Sequence, residues 1–547
     1  MASRGRLIAL RLTALAACIG MSLGLAACAS GTPAEGTATD QQTQTGEQTA
    51  GTGGVAIFTP SDGVTISQHT PLNKWTKFVP SLVSALREQH VAKSDIDTFT
   101  ADSLDKQSRD IQDYVVDHVS SSNAQSDSSS KASADTKDSG KITLVVAPVA
   151  SPDDTVRQYG DYVSQTIKGT DGETVASEKE QTEREAADRL VSSLTLAQES
   201  GMHVVLLSST PDGFQPDAYV RMSTAEQIGK IQAEKLVGKL ALASASTDNP
   251  KAIEVLLPYD AAAADGTDSG ASGDAADGTA SEDSAAFAKE AFKGIWSVLQ
   301  PYFKAGKAVC PSASLTASTT EDDWQDVAFA SGKTDSVRNE LKGRLGMKSG
   351  SDQHTRIDGI IALNDYTASD VVKTLDELTY TGSAADINPS ITISGIVGNI
   401  TGKKDLQRKA VPDPIKSPEA ADDGAGQSDG STDADGDGAG KDAEEINARW
   451  PIVTGYGAYV DAMPQIVAGQ QWMTALEDRD TLAADTATVC VLLNQGKPLT
   501  SQAYVKSTKI NGKGVPTVIE DLLAVSASNL KTTLIDPGYI TLAEAGL

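Results

Sequence analysis

The sequence has few of the residues from which compact chemical sites are built. Its 547 residues include four cysteines and five histidines, with no CxxC pair and no HExxH spacing. The first absence excludes a disulfide-dense framework, and the second excludes a common type of zinc site. Lys and Arg total 46 against 74 Asp and Glu, so the net charge is −28. Because nucleic acids are bound through clustered cations, this balance excludes nucleic acid as the expected partner.

Motifs for catalysis and cofactor binding are also missing. No GxSxG elbow, Rossmann GxGxxG or complete P-loop occurs. The spacing of Asp433, Asp435, Asp437, Gly438 and Glu444 matches a calcium loop. Its surroundings are rich in Ala, Gly and Asp and lack flanking amphipathic helices, so we interpret it as a solvated acidic loop. We therefore predict a protein that is not an enzyme and has no cofactor or metal. Hydrolysis by carboxylates alone stays open.

The N-terminus carries an export signal. Three arginines precede an apolar run over residues 12–25, and Ala26, Ala27 and Cys28 follow. This order predicts a signal peptide over residues 1–27, and its end resembles a lipobox, which implies a diacylglyceryl group on Cys28. An earlier Leu-Ala-Ala-Cys ends at Cys18, but cleavage there would leave too short an apolar segment. The alternative is an uncleaved anchor helix. Both place the body at the cell membrane, on its extracytoplasmic face.

Four stretches have a composition that cannot bury a core. Residues 28–54 are predicted to be a flexible tether. The other three are predicted to be disordered surface insertions, which lengthen loops at little cost: about 120–140, 260–284 and 417–445.

Between these stretches, short apolar runs alternate with helical patterns, which indicates an α/β fold with parallel sheets. Ser223, three residues before Glu226, predicts a capping box at the start of a helix. Nine or more predicted strands are more than a single sheet usually contains, which favours two lobes. Among the predicted strands are 55–58, 142–146, 204–207, 253–257, 308–310, 357–363 and 451–453, and among the predicted helices are 72–86, 186–199, 223–240, 286–303 and 337–345.

Several segments, in order, are similar to segments of one known family. The similarity spans about residues 71–539 and is strongest over Trp450-Pro-Ile-Val-Thr-Gly455 and Ile466-Val-Ala-Gly-Gln-Gln-Trp-Met-Thr474. It extends to Ile360-Ile-Ala-Leu-Asn364-Asp365, Asn511-Gly-Lys-Gly-Val-Pro516 and Leu534-Ile-Asp-Pro-Gly-Tyr539. Through these segments the chain resembles xylose-type sugar-binding lipoproteins of ABC importers, members of the type 1 periplasmic binding protein superfamily.

The resemblance implies two doubly wound parallel-sheet lobes joined by a hinge. The N-terminal lobe would comprise residues 55–221 and 474–517, and the C-terminal lobe residues 222–473 and 518–547. It further implies a monomer that captures a solute, a sugar in this family, between the lobes and delivers it to an ABC permease.

The resemblance also implies which side chains contact the solute. Asn364 and Asp365 end a strand and would bind adjacent hydroxyls, although Asn-Asp in this position also caps helices. Trp75 would cover the apolar face of a sugar, or lie in the core with Leu72 and Val79. Lys74 stands where the family usually has an arginine, a planar donor that an ammonium does not reproduce.

Other positions depart from the family pattern. Ser208 and Ser209 stand where the family has an Asp-Arg pair, and Gly455-Tyr456 lacks the usual carboxylate. Tyr456 and Arg221 are candidate substitutes, with a packed tyrosine and a solvent-facing arginine as the alternatives. These losses keep a second function open: a sensory or surface-interaction lipoprotein whose cleft has diverged and which does not serve transport.

Cys310 and Cys490 are the two remaining thiols. Each lies in an apolar run, where a free cysteine behaves as a small hydrophobic residue, and a bridge between them is left open.

Overall fold

The computed structural model describes residues 51–62, 70–126, 141–150, 154–170, 178–260, 282–333, 335–346, 353–384 and 446–547. The predicted signal peptide, Cys28 and the acidic loop with calcium-like spacing lie outside these ranges, as do most of the tether and of the predicted insertions. Within the described ranges, no helix has both the length and the apolar character that crossing a bilayer requires.

The described residues form seventeen strands. They are β1 (Gly54–Pro60), β2 (Ile96–Ala101), β3 (Ile142–Val146), β4 (Thr166–Ile167), β5 (His203–Leu207), β6 (Thr210–Pro211), β7 (Ala218–Arg221), β8 (Lys251–Val255), β9 (Leu257–Tyr259), β10 (Ala308–Val309), β11 (Ala328–Ala330), β12 (Gly359–Ile361), β13 (Ile452–Thr454), β14 (Met473–Leu476), β15 (Val505–Ile510), β16 (Lys513–Ile519) and β17 (Leu523–Ser526).

The α-helices among the described residues follow or precede these strands. They are α1 (Trp75–Glu88), α2 (Leu104–Ser126), α3 (Asp154–Arg157), α4 (Glu178–Glu199), α5 (Ala225–Lys239), α6 (Glu282–Lys304), α7 (Ser336–Arg344), α8 (Asp365–Glu377), α9 (Met463–Ala468) and α10 (Arg479–Asn494).

The first lobe is built on a seven-stranded sheet with the order β15-β16-β7-β5-β3-β1-β2. All neighbours are parallel except β15 and β16, which form a hairpin. Successive side chains of a strand point to opposite faces, so Ala56 and Phe58 pack toward α2 and α4, and Val55 and Ile57 toward α1 and α10. Both faces are covered, which is the arrangement that a doubly wound sheet requires.

The second lobe is built on a six-stranded sheet with the order β10-β8-β12-β13-β14-β17. Its neighbours are parallel except β14 and β17. Helices α5 and α6 cover one face, and α7 and α8 cover the other. The predicted fold class, two doubly wound α/β lobes, is confirmed.

Within the ranges that the structure describes, the chain passes between the lobes three times: at residues 222–224, at residues 477–478 and at residues 520–522. The second passage lies beyond the predicted position at Met473, because Met473–Leu476 form β14 and pair with β17 in the second sheet.

Two local features differ from the sequence predictions. The capping box of α5 is formed by Thr224 and Gln227, one residue later than predicted, since the Ser223 side chain is buried among other partners. Helix α2 continues to Ser126, so the first residues of the insertion predicted from about 120 are helical instead.

Candidate functional site

A cavity of about 530 Å³ lies where the parallel strands of the first lobe end. Loops that follow β1, β2, β3 and β5 line it, together with the first turn of α1. The second lobe contributes Tyr366 and Tyr459. In open α/β sheets, ligands bind outside the carboxyl ends of the strands. This cavity is therefore the candidate functional site.

A further wall of the cavity is a segment of the first lobe that we call the strap, residues 154–167. It begins with α3, ends with β4 and lies between the two lobes. Its residues that line the cavity are Arg157, Gln158, Gly160, Asp161, Val163 and Gln165.

Aromatic side chains give the cavity apolar surface. Trp75 lines it and is only 3% exposed, because its ring packs 5.0 Å from that of Tyr162 and 5.9 Å from that of Phe78. The tryptophan is thus both a core residue and a wall of the cavity. Tyr366, by contrast, is 40% exposed.

Charged groups meet beside Trp75. Lys74 Nζ lies 2.8 Å from Asp161 Oδ1, and the Trp75 amide donates to Asp161 Oδ2. Burial raises the pKa of Asp161 to about 6; Lys74 opposes this increase, and Asp62 adds to it. Among the described residues, no donor bonds the buried Oδ1 of Asp62. This part of the cavity thus offers the carboxylates of Asp62 and Asp161 as acceptors and the ammonium group of Lys74 as a donor to a polar molecule.

Asn364 and Asp365 lie at the end of β12 and are fully buried. Asn364 is the N-cap of α8: its Oδ1 accepts from the Thr367 amide at 2.7 Å, while its Nδ2 donates to Gln158 of the strap at 3.0 Å. The Asp365 carboxylate accepts from Thr474 Oγ1 at 2.7 Å and from the Tyr459 amide at 3.0 Å. Neither residue lines the cavity, and their contact with a solute stays a prediction.

Tyr456 lies in a buried chain of hydrogen bonds at the hinge. Asn73 Nδ2 donates to the Tyr456 hydroxyl at 2.9 Å, and that hydroxyl is hydrogen-bonded to Ser223, which in turn donates to Glu477. Ser223 belongs to the first passage between the lobes and Glu477 to the second. This hydrogen-bond network therefore connects the first and second passages with Asn73 of the first lobe and Tyr456 of the second.

The carboxyl of Glu477 is fully buried in this network. Burial raises the pKa of Glu477 to about 7; Ser223 and Arg221 oppose the increase, and Asp478 adds to it. A carboxyl whose pKa is so high changes charge near neutral pH.

Arg221 lines a second cavity, of about 560 Å³, on the other side of the strap. This cavity also contains Lys168, Glu226, Glu290 and Phe287, so charges of both signs face it. The six predicted contacts are therefore distributed over three places: Lys74 and Trp75 line the first cavity, Arg221 lines the second, and Asn364, Asp365 and Tyr456 are buried beneath the cleft.

Sequence reasoning missed Asp62, Gln158, Asp161, Tyr366 and Tyr459. The one local signal was Tyr159-Gly-Asp-Tyr162, since Gly160 has a φ of +93° and a Cβ there would lie 2.7 Å from Asn73. Such a glycine marks a close backbone approach.

The two thiols of the described part of the chain are free. Cys310 contacts Glu254 at 3.3 Å and adjoins the second lobe's core, whereas Cys490 is buried in α10 against the first lobe's sheet. The bridge that the sequence left open is not formed.

No protein-family model matches the chain. A curated relative, the multiple sugar-binding periplasmic protein SbpA of Azospirillum brasilense, is 39% identical over 98 residues, which is 17% of this chain. The match spans about a quarter (26%) of that relative's length.

Solved structures similar to the chain are solute-binding proteins of ABC transporters. A carbohydrate transporter solute-binding protein of Chloroflexus aurantiacus, in complex with D-glucose, is 17% identical with a TM-score of 0.45, covering 90% of this chain and 97% of its own. A periplasmic ribose ABC transporter protein of Conexibacter woesei is 11% identical with a TM-score of 0.42, covering 89% and 95%.

Proposed function

We propose that this protein is a lipid-anchored solute-binding protein of an ABC-type importer, which captures a sugar between its lobes and delivers it to a permease. The observation that carries the proposal is the cavity of about 530 Å³ at the carboxyl ends of the first lobe's strands. Its aromatic walls suit the apolar face of a sugar ring, and Asp62, Asp161 and Lys74 suit hydroxyl groups. The local similarity to SbpA supports the same class of solute. The proposed activity is binding, without catalysis.

The proposal is tested by calorimetry and thermal-shift measurements with pentoses, hexoses, sugar acids and polyols. A solute at 100 times its Kd adds about 2.7 kcal/mol to the free energy of unfolding. We expect one class of sugar to raise the melting temperature.

Tyr366→Ala should then weaken binding of that sugar by roughly tenfold, because the ring lines the cavity and its loss removes stacking area. Since Tyr366 is 40% exposed, the unliganded variant should melt within a few degrees of the parent. Val116→Ala, at a position 44% exposed outside the cavity, is the matched control. Equal affinities of the two variants would remove this cavity from the solute site.

Anchoring is tested separately. Lipidation of Cys28 would add two acyl chains, enough for stable attachment to a membrane. In cell fractionation, Cys28→Ser should move the protein from the membrane fraction to the soluble fraction, and Cys18→Ser should leave it in place. Retention of the Cys28→Ser protein would favour the uncleaved anchor helix.

One observation favours the second candidate function, a sensory or surface-interaction lipoprotein outside transport. The strap hydrogen-bonds to Asn364 and Tyr459 within the cleft, so a segment of the chain itself lies between the lobes. If no sugar shifts the melting transition of a well-folded sample, this second function replaces the first.

A further inference from the structure

The strap leaves the sheet of the first lobe and reaches the second lobe. The Thr155 amide donates to Asp260 Oδ2 at 2.8 Å, and Asn364 Nδ2 donates to Gln158 Oε1 at 3.0 Å. The Tyr459 hydroxyl donates to the Gln158 carbonyl at 2.7 Å. Two of these partners, Asn364 and Tyr459, follow strands β12 and β13 at their carboxyl ends.

Apolar contacts strengthen this attachment. Tyr159 is fully buried, with its ring 4.4 Å from that of Phe287 on α6 and 6.3 Å from that of Tyr456. Val156 and Val163 join the same apolar cluster, which is the core of the second lobe between its sheet and α5 and α6. A segment of the first lobe thus completes the core of the second.

The same strap is fixed to the first lobe. Asp161 is paired with Lys74, and the Tyr162 hydroxyl donates to the Lys74 carbonyl at 2.6 Å. Ser208, which follows β5, donates to the Tyr162 carbonyl at 2.9 Å. At its end, the strap pairs with β6 through Thr166.

Parallel sheets offer ligands the space outside the carboxyl ends of their strands. In the second lobe, the strap occupies that space. The side-chain amide of Asn364, which follows β12, donates to Gln158 of the strap. In the first lobe, the corresponding space is the cavity of about 530 Å³. The two halves of the cleft are therefore unequal.

We propose that the strap, a segment of the chain itself, occupies the second lobe's half of the cleft in the way that a ligand would. It holds the lobes together in the absence of a solute, and it has to release Asn364 before any solute can contact that side chain. A molecule that enters the cavity meets the first lobe, the strap and, from the second lobe, Tyr366 and Tyr459. This inference rests on the proposed function only where it concerns a solute; the interlobe attachment itself does not depend on one.

The test uses the full chain and a double variant, Gln158→Ala with Tyr459→Phe. It removes two hydrogen bonds between the strap and the second lobe and keeps the tyrosine ring. The control is Gln89→Ala with Tyr504→Phe, which makes the same chemical changes in the first lobe, away from the cleft. Amide hydrogen exchange is measured by mass spectrometry on peptides from residues 154–167, 359–368 and 452–462.

In the parent and the control we expect slow exchange of the strap peptide, and in the double variant about tenfold faster exchange of the strap and of both second-lobe peptides. Equal exchange in the variant and the control would overturn the proposal, and so would a strap that exchanges as fast as an exposed loop in the parent. Hydrogen exchange needs no sugar, so failure of the proposed function would not be mistaken for failure of the strap.

Where a sugar has been identified, stopped-flow binding adds a second readout. The double variant should associate with it several-fold faster than the control, because release of the strap no longer precedes contact with Asn364. An unchanged association rate together with faster hydrogen exchange would overturn the gating role.

Discussion

Asp365→Ala is expected to destabilise the second lobe by about 3 kcal/mol or more. The carboxylate is fully buried and accepts from Thr474 Oγ1, Gln471 Nε2 and the Tyr459 amide. Alanine leaves these donors buried without their acceptor, and each unsatisfied group costs about 1 to 3 kcal/mol. The donors come from two segments around the end of β12, the loop after β13 and the start of β14, so the carboxylate holds that end of the lobe together.

Differential scanning calorimetry checks this prediction. A loss of this size lowers the melting temperature of a domain by roughly 10 °C. Asp365→Asn should lower it less, because the amide keeps one acceptor oxygen and the shape of the side chain. The matched control is Asp376→Ala, an exposed position on the same helix, α8, where we expect little change.

The opposite result would assign Asp365 to the solute site. If Asp365→Ala melts with the parent and binding of the solute is lost, then the carboxylate acts on a ligand, as the sequence resemblance implied. Calorimetry and binding titrations on the same sample distinguish the two roles.

The alternation of apolar runs predicted the fold well, because buried strands of parallel sheets are apolar on both faces. The runs at 142–146 and 204–207 form β3 and β5 almost residue for residue. Strand β2, Ile96–Ala101, gave no such signal, since it lies at the edge of the sheet and carries polar residues. Strand β7 is short and lies close to a passage between the lobes, so its four residues carry little pattern.

The site was harder to predict, because its residues are assembled by tertiary contacts. Lys74 and Trp75 line the cavity because they open α1 at the carboxyl ends of β1 and β3. The strap could not be inferred from local pattern, since its contacts join Gln158 to Asn364, 206 residues away. The burial of Asp365 could not be inferred either, because the periodicity of α8 does not reveal the donors that Tyr459 and Thr474 supply.

The hinge contains a buried hydrogen-bond network that the sequence pattern did not predict. Glu477 and Ser223 come from two of the three passages, and their hydrogen bond ties those passages together. Tyr456 and Asn73 extend this connection to the second and first lobes. The protonation state of Glu477 therefore affects the junction on which any movement of the lobes depends.

The stability of the protein is expected to fall as the pH rises from about 5 to 8. Burial raises the pKa of Glu477 to about 7, from 4.5 in an exposed carboxyl. A carboxyl whose folded-state pKa is raised binds its proton more tightly in the folded state. Its contribution to stability is fully present below the unfolded pKa and is lost as the pH rises through the folded pKa. A shift of this size corresponds to about 3 kcal/mol.

Glu477→Gln should remove the part of this dependence that Glu477 contributes, because glutamine stays uncharged at every pH and its amide oxygen can still accept from Ser223. Thermal melts at pH 5, 6, 7 and 8 should show a steep fall in melting temperature for the parent and a shallower one for the variant. The remaining slope has the same sign, since burial also raises the pKa of Asp161 and that of Asp365 to about 6. Glu88→Gln, at an exposed position on α1, should follow the parent. If Glu477→Gln keeps the parent's full pH dependence, the titrating group lies elsewhere, and the hinge is held by a carboxylate that stays ionised throughout this range.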